Sequence, residues 1–426
     1  MPITFDEAVE IYKSKHNGHS PKPINRRVPL NVPDNTSCPH CGAPIDYLYD
    51  NKSGKISMQC RCKVCDTVFT PGKSYVQQVA HYCPYCGQKL EKFHERDHFT
   101  VYRCSNKKCS YYKHNLKSLN SKEKKLYKQN PSAFKLHYIT RVFSASIEEL
   151  EQLQATVTPT KVQLSRIRNS DQVLGLILTF HINYGLSLRK TALILREVHD
   201  IAVSHQTVAN YAEAAGCLIS PWLNNYQYDE LTENQCGNET YVKIKGKKAY
   251  VFFMCDSIKK IITSHNIFMK RDTYSAIQAF YSVIRKFKAI PEGLNFVVDG
   301  NPIYIVAQQY FQLNKIKFAV HQVIGLENKD EISMQYRSQK QIIELLNRTF
   351  KFSYYVKNGF SNLKKANEFM NLFTTYFNFL RNHSALNHKP PVILKELDGI
   401  TNMPRKWNIL IKMATDYNFQ ILNNQQ

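Results

Sequence analysis

Apolar positions along this chain follow two regimes. Val173, Leu174, Ile177, Leu178 and His181 recur with the 3.6-residue period of a helix that buries one face. Gly185 allows a turn. Ser187 is placed to cap a second helix carrying Leu188, Thr191, Ala192 and Leu195. Ser204 is placed to cap a third, from His205 to Ala215, with Gly216 as its stop. From Asn238 onward the pattern turns to strands: 238–244, 249–256 and 261–268, the first two joined by the turn Lys245-Gly246-Lys247-Lys248. Residues 272–287 predict a helix with Ala276, Ile277, Phe280 and Ile284 on one side. Residues 294–298 predict a fourth strand, 303–311 a short helix, and Phe318-Ala319-Val320 a further strand. On the next helix Ile342, Leu345, Leu346 and Thr349 are expected to be buried, with Glu344, Asn347, Arg348 and Lys351 on a different face. Three antiparallel strands, a crossover helix and a parallel strand predict a mixed sheet, in an α+β or α/β chain of several domains.

Cysteine changes the reading of the N-terminal part, since nine of the twelve lie between residues 34 and 112. Cys38-Pro39-His40-Cys41 is followed by Cys62-Lys63-Val64-Cys65, and Cys83-Pro84-Tyr85-Cys86 by Cys104 and Cys109. Thiolates two residues apart fit one edge of a tetrahedral zinc site, and a second pair completes it. Two structural zinc ions are therefore expected, one on Cys38, Cys41, Cys62 and Cys65, the other on Cys83, Cys86, Cys104 and Cys109. Gly42 and Gly87 follow the first pair of each set and let the backbone fold back toward the sulfurs. His94 and His98 are read as loop residues, because four sulfurs already close the site. No basic-then-apolar leader and no apolar run near the ~20 residues of a membrane span is present. A cytoplasmic, nucleoid-associated protein is expected.

Charge adds a partner. The chain has 57 Lys+Arg against 34 Asp+Glu, a formal +23 over 426 residues. Such an excess favours a polyanion, most often nucleic acid. With it, the three helices from residue 171 read as a helix-turn-helix whose third helix enters a DNA major groove. Ser204, His205, Gln206 and Asn210, near the start of that helix, are types that hydrogen-bond base edges.

The acidic positions carry the chemistry. Asp299 ends the apolar run Asn295-Phe296-Val297-Val298, and Glu344 lies in Gln341-Ile342-Ile343-Glu344-Leu345-Leu346-Asn347-Arg348. Arg348 and Lys351 beside Glu344 suit contacts to phosphate. Carboxylates on such elements can hold two magnesium or manganese ions, which activate a water or 3′-hydroxyl and stabilise the leaving oxygen. The segment Asn238-Glu239-Thr240-Tyr241-Val242-Lys243-Ile244-Lys245-Gly246-Lys247, then Val298-Asp299-Gly300, the Glu344 helix and Tyr376-Phe377-Asn378-Phe379-Leu380-Arg381-Asn382-His383 resemble the RNase H-like catalytic domain of bacterial insertion-sequence transposases, in the DDE superfamily shared with retroviral integrases.

The resemblance implies catalytic positions 238, 299 and 344, a helix-turn-helix that reads terminal inverted repeats of a mobile element, double-stranded DNA as ends and target, and a homodimer or higher oligomer. Along the whole chain the reading is a flexible basic arm (1–33), two zinc ribbons (34–76 and 77–115), a basic linker with short helices (116–170), the helix-turn-helix (171–224), the catalytic domain (232–391) and a helical tail (392–426). The departure is Asn238, where the family has aspartate. An amide can touch a metal ion but brings no charge. The copy is therefore expected to be inactive, whether by an introduced exchange or by natural loss. Glu239 is not expected to substitute, because adjacent strand residues point to opposite faces. The rival reading is a domesticated, non-catalytic DNA-binding protein.

Overall fold

The computed structural model describes residues 4–27, 30, 32–51, 59–72, 81–152, 164, 167, 169–229, 231–324 and 330–423. They form two compact units, 1–142 and 143–426.

In the first unit, helix α1 (Phe5–Lys15) starts at a capping box in which Thr4 and Glu7 each bond the other's backbone N–H. The stretch read as a flexible arm is instead docked. Ala8 is buried among the first four cysteines, and Arg26 donates to the carbonyls of Ile45 and Leu48. Strands β1 (Leu48–Asp50), β2 (Cys60–Cys62) and β3 (Val68–Phe69) form an antiparallel sheet. Strands β4 (Glu91–Arg96) and β5 (Phe99–Arg103), helices α2 (Ser110–Ser118) and α3 (Ser121–Gln129), and strand β6 (Ile139–Phe143) follow. Because β6 joins β4 and β5 in one sheet, the second cysteine module runs beyond the boundary read at residue 115. Leu136 packs with Cys83, Cys104, Cys109 and Tyr112. The signal was the apolar content of residues 134–143, masked by the surrounding lysines.

In the second unit, α4 (Ile147–Gln152) begins at a capping box, Ser146 with Glu149. Helix α5 (Asp171–Leu178) continues as a wider turn to Asn183 and is followed by α6 (Leu188–His199) and α7 (His205–Asn225). Ser187 and Ser204 cap α6 and α7 as read. Gly216 does not stop α7, which runs nine residues further. A Cβ there would fall on the carbonyl of Glu368, so this glycine permits a close helix crossing.

The sheet is built from β7 (Asn234–Ile244), β8 (Lys247–Asp256), β9 (Ile262–Phe268), β10 (Asn295–Val298) and β11 (Ala319–Gln322), in the order β11-β10-β7-β8-β9. The first three are antiparallel and β10 runs parallel to β7, as predicted, and β11 runs parallel to β10. Helices α8 (Thr273–Ile284) and α9 (Pro302–Leu313) cover one face, with Phe252, Met254, Phe296 and Val298 beneath them. The other face, with Cys236, Val242, Val251, Phe253 and Val297, packs on α10 (Glu331–Tyr355), α11 (Leu363–Thr375), α5, α7 and α12 (Met403–Asn423). Trp407 of α12 is fully buried and donates to Asn183 at 3.1 Å. The helix-turn-helix segment, the sheet and the C-terminal helix thus share one core. Among the described residues no helix is long and apolar enough to cross a membrane.

Candidate catalytic and metal sites

The eight predicted cysteines gather into two sets of four, and these are the groupings of three or more metal-binding side chains found among the described residues. Cys38–Cys65 and Cys41–Cys62 sulfurs are 3.6 and 3.7 Å apart. Cys83–Cys109 and Cys86–Cys104 are 3.8 and 3.6 Å apart. Four sulfurs at the zinc–thiolate bond length of ~2.3 Å have tetrahedral edges of about 3.8 Å, whereas a disulfide needs ~2.05 Å. The donor set therefore fits a metal ion. Gly42 and Gly87 have φ of 68° and 66° and donate to the carbonyls of Cys38 and Cys83, closing each knuckle. In the first set the Cys38 sulfur pushes the Cys41 thiol up and pulls the Cys65 thiol down, as expected of sulfurs that share protons. Cys60 is buried outside the set, and His94 sits in β4, also outside it.

In the second unit, β10 lies parallel beside β7 with Val297 opposite Cys236. Asn238 lies two residues beyond Cys236 in β7, and Asp299 two residues beyond Val297, just past the end of β10. The Asn238 side-chain oxygen accepts the N–H of Glu239 at 2.9 Å. The Asp299 Oδ1 accepts the N–H of Asn301 at 3.0 Å, and its Oδ2 accepts from Arg271 at 3.1 Å. Burial, followed by the nearby Glu239 charge, pushes the Asp299 carboxyl above its usual range, against Asn301, Lys340 and Arg271.

Helix α10 runs alongside β7. Gln339 donates to the Asn234 side chain at 3.3 Å, Lys351 to the Tyr241 carbonyl at 2.7 Å, and the Tyr354 hydroxyl accepts the Lys243 N–H at 2.7 Å. Glu344 falls between these contacts and is half-buried. The buried stripe differs from the one read from spacing. Lys340, Ile343, Leu346 and Phe350 are inside, while Leu345 is 56% exposed and Ile342 and Thr349 are partly covered. The stripe is rotated because Tyr354 and Phe350 pack with Phe253, Phe360 and Phe373, and these aromatics set the roll of the helix. Asn347 consequently faces inward, with its side-chain oxygen buried and without a hydrogen-bond partner. Lys351 lies 3.9 Å over the Tyr241 ring, and Arg348 is exposed.

Glu239 points to the α8/α9 side. Its side chain is 3% exposed and takes bonds from Arg271, from the Tyr304 hydroxyl and from Asn301 at 3.2 Å. Asp256 is spent on the N–H groups of Thr232, Ile258 and Lys259. Neither is available to replace an acid at position 238. Asp299 and Glu344 carry carboxylates and Asn238 a neutral amide, and Arg271 occupies one oxygen of Asp299. As it stands, this set does not make a complete two-cation site. Sequence reading missed Arg271 and Lys340, whose only signal was cationic type beside an acidic element.

Of the groove-reading candidates, Ser204 caps α7, His205 and Gln206 are exposed, and Gln206 donates to Asn210 at 2.8 Å.

The strand order and the covering helices make an RNase H-like fold. Residues 236–383 match the family described as a DDE domain. That segment is thus similar to the DDE domain of insertion-sequence transposases. No curated protein matches it. Among solved structures it is similar to the magnesium complex of the HTLV-2 integrase catalytic core, at 17% identity over 37% of this chain and 92% of that one, TM-score 0.25. It is also similar to the simian T-cell lymphotropic virus intasome bound to the PP2A regulatory subunit B56γ, at 16% identity, 50% and 72% coverage, TM-score 0.29. For the Mos1 strand transfer complex the values are 12%, 73%, 98% and 0.25.

Proposed function

We propose that the chain is a DNA transposase that binds the ends of a mobile element and performs strand cleavage and strand transfer, held inactive by Asn238. The DDE-domain match across the segment holding positions 238, 299 and 344 carries this reading. Asp299 and Glu344 would be the ligands of magnesium or manganese, and position 238 the third. The ions would supply Lewis-acid activation of a water or 3′-hydroxyl. The chain's own groups bind and orient: Arg348 and Lys351 hold phosphate, and the exposed His205 and Gln206, with Ser204 and Asn210, read base edges. The charge of +23 supports a DNA partner, and zinc is the ion whose bond lengths fit both cysteine sets. DNA-bound oligomers in a cytoplasmic setting complete the proposal.

The test is Asn238→Asp. Restoring the anion should raise magnesium-dependent cleavage of end-bearing duplexes by at least ~10²-fold, since a missing ligand costs several kcal/mol of transition-state stabilisation. Sequence-specific binding with no cleavage by either form would support the non-catalytic reading instead.

A further inference from the structure

The outer face of α10 carries aromatic rings that the core does not use. Phe352 is 74% exposed and Tyr355 68%, and neither belongs to the apolar clusters on the two faces of the sheet. Residues 348, 351, 352 and 355 are neighbours three and four apart, so Arg348 and Lys351 alternate with the two rings on one helix surface. Lys351 carries the patch onto the sheet. Its Nζ lies 3.9 Å over the half-exposed Tyr241 ring and 5.8 Å from that of Tyr355. On the same side of the β7–β8 ribbon as Tyr241, the exposed Lys243 and Lys248 stand opposite each other, with Lys248 5.0 Å from the Tyr241 ring. Residues 240–255 and 345–367 contain no Asp or Glu. The surface therefore sets rings among cations, without an acid in either segment.

We propose that this surface binds an unpaired strand of DNA, with bases stacked on Phe352 and Tyr355 and phosphates held by Lys243, Lys248, Arg348 and Lys351. It rests on DNA as the partner, and on neither metal binding nor cleavage. A duplex offers phosphates but keeps its base faces inside the stack. Only a strand with free bases satisfies both the rings and the cations, and stacking on aromatic side chains tolerates any sequence. The place fits that use. Tyr241 follows position 238 by three residues in β7, and Arg348 lies one helical turn beyond Glu344. DNA opened at those positions has this surface beside it. Packing does not account for the rings, because they are open to solvent and continue from a cationic ribbon.

The experiment uses the full chain without added divalent cation. Anisotropy of a labelled oligo(dT), and of a duplex of equal length, is followed as salt is varied. Phe352→Ala with Tyr355→Ala removes exposed rings and no charge. It should weaken oligo(dT) binding by ~10-fold or more at an unchanged salt slope, and leave duplex binding within about twofold. Phe352→Trp with Tyr355→Trp should bind oligo(dT) near the parent level. Lys248→Gln with Lys351→Gln should reduce the oligo(dT) slope by about 1.4, two phosphate contacts on a single strand. Independently of any variant, 5-iodouracil in the oligonucleotide should photo-cross-link the parent at Tyr241, Phe352 or Tyr355. Parent-like oligo(dT) affinity in an alanine pair that melts as the parent does, equal losses for single strand and duplex, or cross-links confined to residues 1–142 or α7 would overturn the proposal. A parent that binds duplex but not oligo(dT) overturns it alone, whereas one that binds neither also counts against DNA as the partner.

Discussion

At the scale of single residues, the second unit depends on close approaches that side chains would block. Gly216 lies inside α7 where the backbone of Glu368 in α11 touches it, and a methyl group would meet the carbonyl itself. Gly216→Ala gains helix propensity but must push two core helices apart. Overpacking of this kind costs about 1–3 kcal/mol, more than the ~1 kcal/mol that alanine returns. A fall in melting temperature of roughly 2–6 °C is expected for a unit of this size, read by thermal denaturation. Gly246 is the opposite case. It has φ of 74° with open space around it, so substitution there would strain the turn without a steric clash.

At the scale of elements, the wide turn ending α5 is joined to the end of α10 by a buried pair. His181 accepts from Lys357 at 2.7 Å through Nε2, and its Nδ1 donates to the Leu186 carbonyl at 2.7 Å. Burial, then the Lys357 charge, lowers His181 to about 3, and burial lowers Lys357 to about 7. Both are bases held below their unfolded values, so the unfolded chain binds more protons in each window and stability rises with pH there. For His181 the window is about 3 to 6.5. Relative to His181→Gln, the parent should lose stability as pH falls through it, measured as the difference between their denaturation midpoints. For Lys357 the window is about 7 to 10.5, and a flat difference from Lys357→Met across it would contradict the burial argument. These pairings were not legible beforehand. Period told that His181 was inside, and caps told where α6 and α7 begin, because both signals are local. The roll of α10 and the length of α7 were misread because they are decided across the core, by Phe350 against Phe253 and by Gly216 against α11. Asp299 and Glu344 were found through motif and position. Arg271 was not, since only the folded chain brings it to Glu239 and Asp299.

At the scale of the whole molecule, the two units draw on different sources of stability. The second has continuous apolar cores on both faces of its sheet. In the first, the cores are small and made largely of the cysteines themselves. Sulfurs packed at metal-site spacing gain their stability from the ion, and binding energy for structural zinc of ~10–16 kcal/mol is folding energy when no site exists in the unfolded chain. A strong chelator should therefore release two ions per chain, counted by a chromogenic zinc indicator, and unfold the first unit while leaving the second to melt at its original temperature. Cys62→Ser should release one ion and unfold only the module built on β1, β2 and β3, because Cys83, Cys86, Cys104 and Cys109 form a separate set. Proteolysis would read this as loss of fragments from residues 1–142 with a protected 143–426 core. A chelator that leaves the first unit resistant would show that its sheets and helices α1 to α3 suffice without metal, and the cysteine geometry would then need another cause.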